Sequence, residues 1–119
     1  MKTKPIIVVS GEPKSIFYEI FFKSLKKNNF KSPLILITSV KLFKSQMKKY
    51  KFKGKINILN KKNLNTLKLQ KNINIIDVNY DNFKNSKKNK NKTKIYIKEC
   101  FDIAFNLLKK KISNKFING

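Results

Sequence analysis

Lys4-Pro-Ile-Ile-Val-Val-Ser-Gly-Glu-Pro13 is the stretch on which the fold turns. Its apolar core, Ile6 to Val9, is short and β-branched, the pattern of a buried strand. Ser10-Gly-Glu-Pro13 ends that strand and reads as a turn by composition. Ile16, Phe17, Ile20, Phe21 and Leu25 then recur at helical spacing, with Lys23, Lys26 and Lys27 on the other side. Lysines in a last turn complement the helix dipole, and Asn28-Asn29 is a plausible stop.

The alternation continues outward from this unit. Leu34 to Ile37, opened by Pro33, predicts a second strand, and Ser39 is a good helix N-cap. Val40, Phe43, Met47 and Tyr50 mark one face of a second helix, which Gly54 is expected to break. Lys55 to Leu59 alternates like a strand. The stretch 60–72 is ambiguous, and Ile73, Ile75, Ile76 and Val78 suggest a fourth strand. Residues 82–94 form a Lys/Asn/Ser run, read as an exposed loop. Ile97, Cys100, Phe101, Ala104, Phe105, Leu108 and Ile112 then give the clearest helical stripe, with Thr93 as its expected cap. Lys115 to Asn118 looks like one more strand. Strands alternating with helices argue for an α/β fold with a largely parallel sheet and flanking helices. The chain, 1–119, is expected to be a single domain, and a truncated one, because the last strand lacks residues to pack beside it.

Composition narrows the partners. The net charge is +23, and all 29 basic residues are lysine. Alanine occurs once and glycine three times, while Lys, Asn, Ile and Phe abound. That is the signature of an AT-rich genome, in which lysine replaces arginine wherever a surface only needs charge. Nucleic-acid readers rely on arginine for bidentate contacts, so nucleic acid is the lesser expectation despite the charge. No apolar run approaches the roughly 18 residues of a membrane span. The four-residue run Ile6 to Val9 is too short for a signal-peptide core. One cysteine, Cys100, builds no disulfide framework and fits a reducing compartment, so a cytoplasmic location is expected.

Few residues offer chemistry. The chain has no histidine, which removes Ser-His-Asp triads, Cys-His pairs and His-ligated metals from these residues. The acids are Glu12, Glu19, Asp77, Asp81, Glu99 and Asp102. Glu99 and Asp102 share a helix face, read as a solvated one. Asp77 and Asp81 follow a strand, a common place for site residues in α/β enzymes, but turn chemistry is the simpler reading. Neither G-x-G-x-x-G nor a P-loop is present. Gly11, Glu12 and Pro13 still lie where a first strand meets a first helix, at the carboxyl edge, where open α/β sheets bind ligands. Tyr50 and Phe52 interleave with Lys48, Lys49, Lys51, Lys53 and Lys55. Such a mix can stack bases, but aromatics facing the core are the simpler reading. Cys100 lies on a buried stripe and reads as filler.

The assembled pattern resembles the start of the 4-hydroxythreonine-4-phosphate dehydrogenase family of pyridoxal phosphate biosynthesis. Lys4 to Pro13 looks like that family's first strand and Gly-Glu-Pro turn. Leu34 to Ile37, with Ser39 and Leu42-Phe43, is similar to its second strand and helix. The helix expected from Ile95 to Lys111 carries Ala104, as the family's does. Phe116-Ile-Asn-Gly119 resembles the strand running into a Thr-Gly-Pro segment. The family turn continues Ala-Gly-Ile-Gly where this chain has Lys14-Ser15-Ile16-Phe17, and Asn118 stands where threonine is commoner.

The resemblance covers the whole chain but about the first third of a family member. It implies the N-terminal portion of an isocitrate/isopropylmalate dehydrogenase-like fold. It further implies a homodimeric, NAD-dependent parent enzyme that oxidises a phosphorylated small molecule, 4-phosphooxy-threonine, with a divalent metal ion held by histidines. Those histidines and most of the nicotinamide site lie beyond Gly119 in the family. The fragment is therefore expected to be inactive, with no catalytic or metal residue of its own. Gly11, Glu12 and Pro13 map to a substrate-cleft edge. Two rivals stand beside this expectation: a small lysine-rich α/β nucleic-acid-binding protein, and a piece of another α/β enzyme such as a nucleotide-sugar transferase.

Overall fold

A computed structural model describes residues 4–13, 16–27, 32–60, 69, 73–80 and 86–118, with the backbone alone over 86–90. The elements run β1 (Ile6–Val9), α1 (Phe17–Lys27), β2 (Leu34–Thr38), α2 (Val40–Lys49), β3 (Ile56–Leu59), β4 (Ile73–Asp77), α3 (Ser86–Lys109) and β5 (Lys115–Asn118). Among the described residues the strands form one five-stranded sheet in the order β3-β4-β2-β1-β5, and every pairing is parallel. The expected α/β architecture with a parallel sheet is present.

Strand alternation sorts the core into two halves. Ile7, Val9, Ile35, Ile37 and Ile76 point to one face, where α3 covers them with Tyr96, Cys100, Ala104 and Leu107. Val8, Leu34, Leu36, Ile73 and Ile75 point to the other, under α1 and α2. The result is three layers, two helices on one side of the sheet and one on the other. β2 is central and buried along its whole length, which is why its sequence is an unbroken apolar run. On the α1/α2 side, Phe22 sits 5.4 Å from Phe43 and 4.7 Å from Phe52, and Tyr18 lies 6.1 Å from Phe43. Tyr50 joins them at 6.1 Å from Phe22. Tyr50 and Phe52 thus face the core, as the simpler reading had it.

Four expectations change. The inward face of α1 is Tyr18, Phe21 and Phe22, while Ile16 and Ile20 are mostly exposed. α1 has a polar flank of Glu19, Lys23, Lys26 and Lys27 opposite a wide apolar arc, and periodicity alone did not say which part of that arc meets the core. The hydroxyl partner that lets Tyr18 be buried lies on another element.

α2 ends at Tyr50, four residues before Gly54. Lys51 adopts the left-handed conformation at φ 53°, Phe52 N–H donates to Met47 O at 2.9 Å, and Lys51 N–H to Lys48 O at 3.3 Å. This is a Schellman stop with lysine in glycine's usual place. α3 ends the same way: Lys111 has φ 60°, Ile112 N–H donates to Leu107 O, and Lys111 N–H to Leu108 O.

The loop expected over 82–94 is helix from Ser86 onward, and Thr93 lies inside α3 rather than capping it. Lys and Asn tolerate a helix when one end is anchored, and composition alone does not see the anchor. The break expected at Asn28-Asn29, Asp81 and Gly119 lie outside the described residues, as does most of 60–72.

Candidate functional site: the carboxyl edge of the sheet

In a parallel sheet all strand ends of one kind share one edge. Here the carboxyl ends of β1, β2 and β4 bring together Ser10, Thr38, Ser39 and Asp77. The helices that follow β2 and β4 lie on opposite faces of the sheet, and these two strands are neighbours. That divergence marks a topological switch point, the usual ligand position in such folds.

A buried hydroxyl network closes the floor of this edge. Tyr96, from α3, is the node. Its hydroxyl lies 3.2 Å from Ser10 Oγ and 3.0 Å from Thr38 Oγ1, and it accepts from Ser39 N–H at 3.0 Å. Tyr18, from α1, bonds Thr38 Oγ1 from the opposite layer. One network therefore pins both helical layers to the ends of β1 and β2. Burial pushes the Tyr96 and Tyr18 phenols above their ordinary value, the largest cause in each case, so both hold their protons. They serve as fixed posts and not as proton shuttles at neutral pH.

The first turn of α2 is occupied from within. Ser39 Oγ accepts from Leu42 N–H at 3.2 Å, and Asp77 Oδ1 accepts from Val40 N–H at 2.9 Å. With Ser39 N–H given to Tyr96, three amides of this helix start are already bonded. The predicted N-cap at Ser39 is present, and Asp77 has capping chemistry.

Gly11 sits at φ 74°, a conformation that suits glycine, and it is buried together with Pro13. Glu12 between them is exposed at the carboxyl edge. The turn thus holds one carboxylate out to solvent at the carboxyl edge of the sheet. Tyr80, past the end of β4, lies 4.9 Å ring to ring from Tyr96, and its hydroxyl is 3.3 Å from Thr93 Oγ1. Because Tyr96 meets the carboxyl edge, the ten residues of α3 ahead of it, 86–95, reach about 15 Å past that edge. They include Lys87, Lys88, Lys90, Lys92 and Lys94 and no acid.

The remaining candidates fall away from this edge. Glu99 and Asp102 are on the outer side of α3, with Asp102 3.9 Å from Lys98, a solvated ion pair. Glu19 pairs with Lys23 in the same way. Cys100 is fully buried, and burial pushes its thiol up to about 12, so it is filler. Among the described residues no group of three or more His, Cys, Asp or Glu side chains could hold a metal ion, and none of the helices is long and apolar enough to cross a membrane. The edge presents the Glu12 carboxylate to solvent, with lysines of α3 nearby, while its hydroxyls are buried and bonded to one another.

Sequence reasoning expected the Ser10–Pro13 turn at this edge, Ser39 as an N-cap and Asp77 as turn chemistry, and gave no role to Tyr96, Tyr18 or Thr38. The available signal was a hydroxyl residue directly after each of the first two apolar runs. No family model matches the sequence, and no curated protein is significantly similar to it.

Proposed function

We propose that this chain is the N-terminal α/β part of an NAD-dependent dehydrogenase of the 4-hydroxythreonine-4-phosphate dehydrogenase family, inactive by itself. The observation that carries the reading is the Gly11–Pro13 turn. A Gly-Glu-Pro segment at the carboxyl end of β1, with Gly11 at positive φ, occupies the edge where parallel sheets take ligands. The rest of the reading follows from the resemblance: an isocitrate/isopropylmalate dehydrogenase-like fold, a cytoplasmic homodimer and a phosphorylated small-molecule substrate. Gly11 and Pro13 would shape the rim of the substrate cleft, and Glu12 would stand at it.

The residues present do not fit the metal. There is no histidine, and the described acids and cysteine do not cluster. The divalent ion and the nicotinamide would have to be held by polypeptide outside these residues, so no step of the reaction is assigned here.

The test begins with the reading frame. A proline and a lysine soon after codon 119, then histidines, are expected. The product of that frame should form NADH from 4-phosphooxy-threonine and lose activity to a chelator, whereas the 119-residue chain forms none. A stop codon at position 120, or a longer product that forms no NADH, defeats the reading.

A second reading, a lysine-rich nucleic-acid binder, draws on the lysines of 86–95. Tyr50 and Phe52 lend it nothing, because they pack against Phe22. It requires RNA or DNA affinity that falls steeply with salt. Affinity flat in salt, or none at low salt, removes it.

A further inference from the structure

The α1 side of the sheet is covered over β2 and β4 and open toward β5. There an apolar groove of about 420 Å³ runs between α1 and the strands, lined by Ile6, Val8, Ile16, Phe17, Ile20 and Ile117 among others. Its rim is unusually apolar for a free surface. Ile16 is 67% exposed, Ile20 55% and Ile117 53%. The lining of α1, from Ile16 to Leu25, is about 14 Å long, or two and a half turns for a helix lying alongside it.

One end of this groove is cationic. α1 returns from the carboxyl edge to the amino edge, so its last turn lies near the start of β5. Lys27 is seven residues from Ile20 and shares its flank of the helix; Lys23 is on the same flank. Lys115 is on the face of β5 that carries Ile117 and is in register with Ile6. All three lysines are exposed. The nearest acid on α1, Glu19, is held by Lys23 at 3.4 Å.

We infer that the groove docks an amphipathic helix of a partner polypeptide, with an apolar stripe along the floor and carboxylates over Lys27 and Lys115. A second copy of this chain does not fit. Two surfaces from molecules of net charge +23 would meet lysine to lysine, and the chain has only six acids to offer. A helix also suits a concave channel beside α1 better than a lipid surface does. The inference does not rest on the Gly11–Pro13 turn that carries the enzyme reading, but under that reading further polypeptide beside β5 would compete for the same groove.

The probe is a synthetic 16-residue amphipathic helix with a leucine stripe and glutamate flanks, followed by fluorescence anisotropy. It is compared with the same stripe flanked by lysine and with anionic phospholipid vesicles. The glutamate peptide is expected to bind the chain, Ile20→Asp to weaken it at least tenfold, and the lysine peptide to bind at least tenfold more weakly. Lys27→Glu with Lys115→Glu should reverse the preference between the two peptides. Because Ile20, Lys27 and Lys115 are exposed, these variants should keep the wild-type circular dichroism. Equal binding of both peptides, no binding of the glutamate peptide, or indifference to Ile20→Asp overturns the inference. So does vesicle binding without peptide binding. If the product of a longer reading frame fails to bind the peptide that the 119-residue chain binds, the groove is filled by its own polypeptide and the partner is refuted.

Discussion

Replacing Tyr96 with phenylalanine removes one oxygen from the node of the carboxyl-edge network, and its cost can be worked from the bonds lost. Tyr96 is 2% exposed, so water does not readily replace the hydroxyl. Ser39 N–H, also buried, loses its acceptor, at about 1–3 kcal/mol for an orphaned buried donor. Ser10 Oγ loses its bond to the phenol, at about 1 kcal/mol. Thr38 keeps Tyr18 and loses little. The sum is about 2–4 kcal/mol, a large part of the roughly 5–15 kcal/mol that holds a domain of this size. Tyr18→Phe is the internal control. It removes a bond to Thr38, which retains Tyr96, and should cost about 1 kcal/mol. Urea unfolding at neutral pH, with equal slopes for all three proteins, reads both values.

The same phenols predict a pH dependence. Both are raised in the folded chain, so the folded state keeps protons that the unfolded state releases. Their contribution is intact below about pH 10, the ordinary phenol value, and is lost as pH rises beyond it. Tyr96→Phe should therefore flatten the alkaline decline in stability. A Tyr96→Phe cost below about 0.5 kcal/mol, or one no larger than that of Tyr18→Phe, would refute the assignment of Tyr96 as the node.

Three further outcomes are expected. Lys51→Gly and Lys111→Gly should each stabilise the chain by about 0.5–1 kcal/mol, because both lysines hold a left-handed conformation that glycine adopts without strain; a lowered melting temperature for either would count against the Schellman assignment. Cys100, with its thiol raised to about 12 and fully buried, should react with a thiol reagent at mildly alkaline pH only as fast as the chain opens; immediate stoichiometric labelling of the native protein would contradict its placement. Asn74 is fully buried in β4, donates to Leu34 O at 3.0 Å and accepts from Asn57 Nδ2 at 2.9 Å, so Asn74→Asp should place a carboxylate against a carbonyl. Its folded pKa should be raised, and stability should fall as pH rises from about 4; a variant more stable at pH 7 than at pH 4 would show that the amide is not held as described.

The groove and the hydroxyl network show why reading a sequence stops where it does. Ile16 and Ile20 satisfy helical periodicity as well as any core residues, yet they line a channel between α1, β1 and β5. Tyr96 sits on the stripe that includes Ile97 and Cys100, but its role needs Ser10, Thr38 and Ser39, which are 57 to 86 positions away. No spacing rule links residues so far apart. The 82–94 run failed in the opposite direction: its composition suggested a loop, while anchorage through Thr93 and Tyr96 extends the helix back to Ser86.

By itself the sequence determined the strand and helix order, the parallel sheet, the Gly11–Pro13 turn at a strand's carboxyl end, the Ser39 cap and the lack of histidine chemistry. These follow from local pattern: β-branched runs, turn composition, cap chemistry and the amino acids present. Only the tertiary structure decided the side-by-side order of the strands in the sheet, which face of α1 is buried, where α3 begins, and that Tyr18 and Tyr96 meet at Thr38 from opposite layers. Each depends on contacts between elements distant in the chain, whose energy comes from packing and from satisfying buried polar groups.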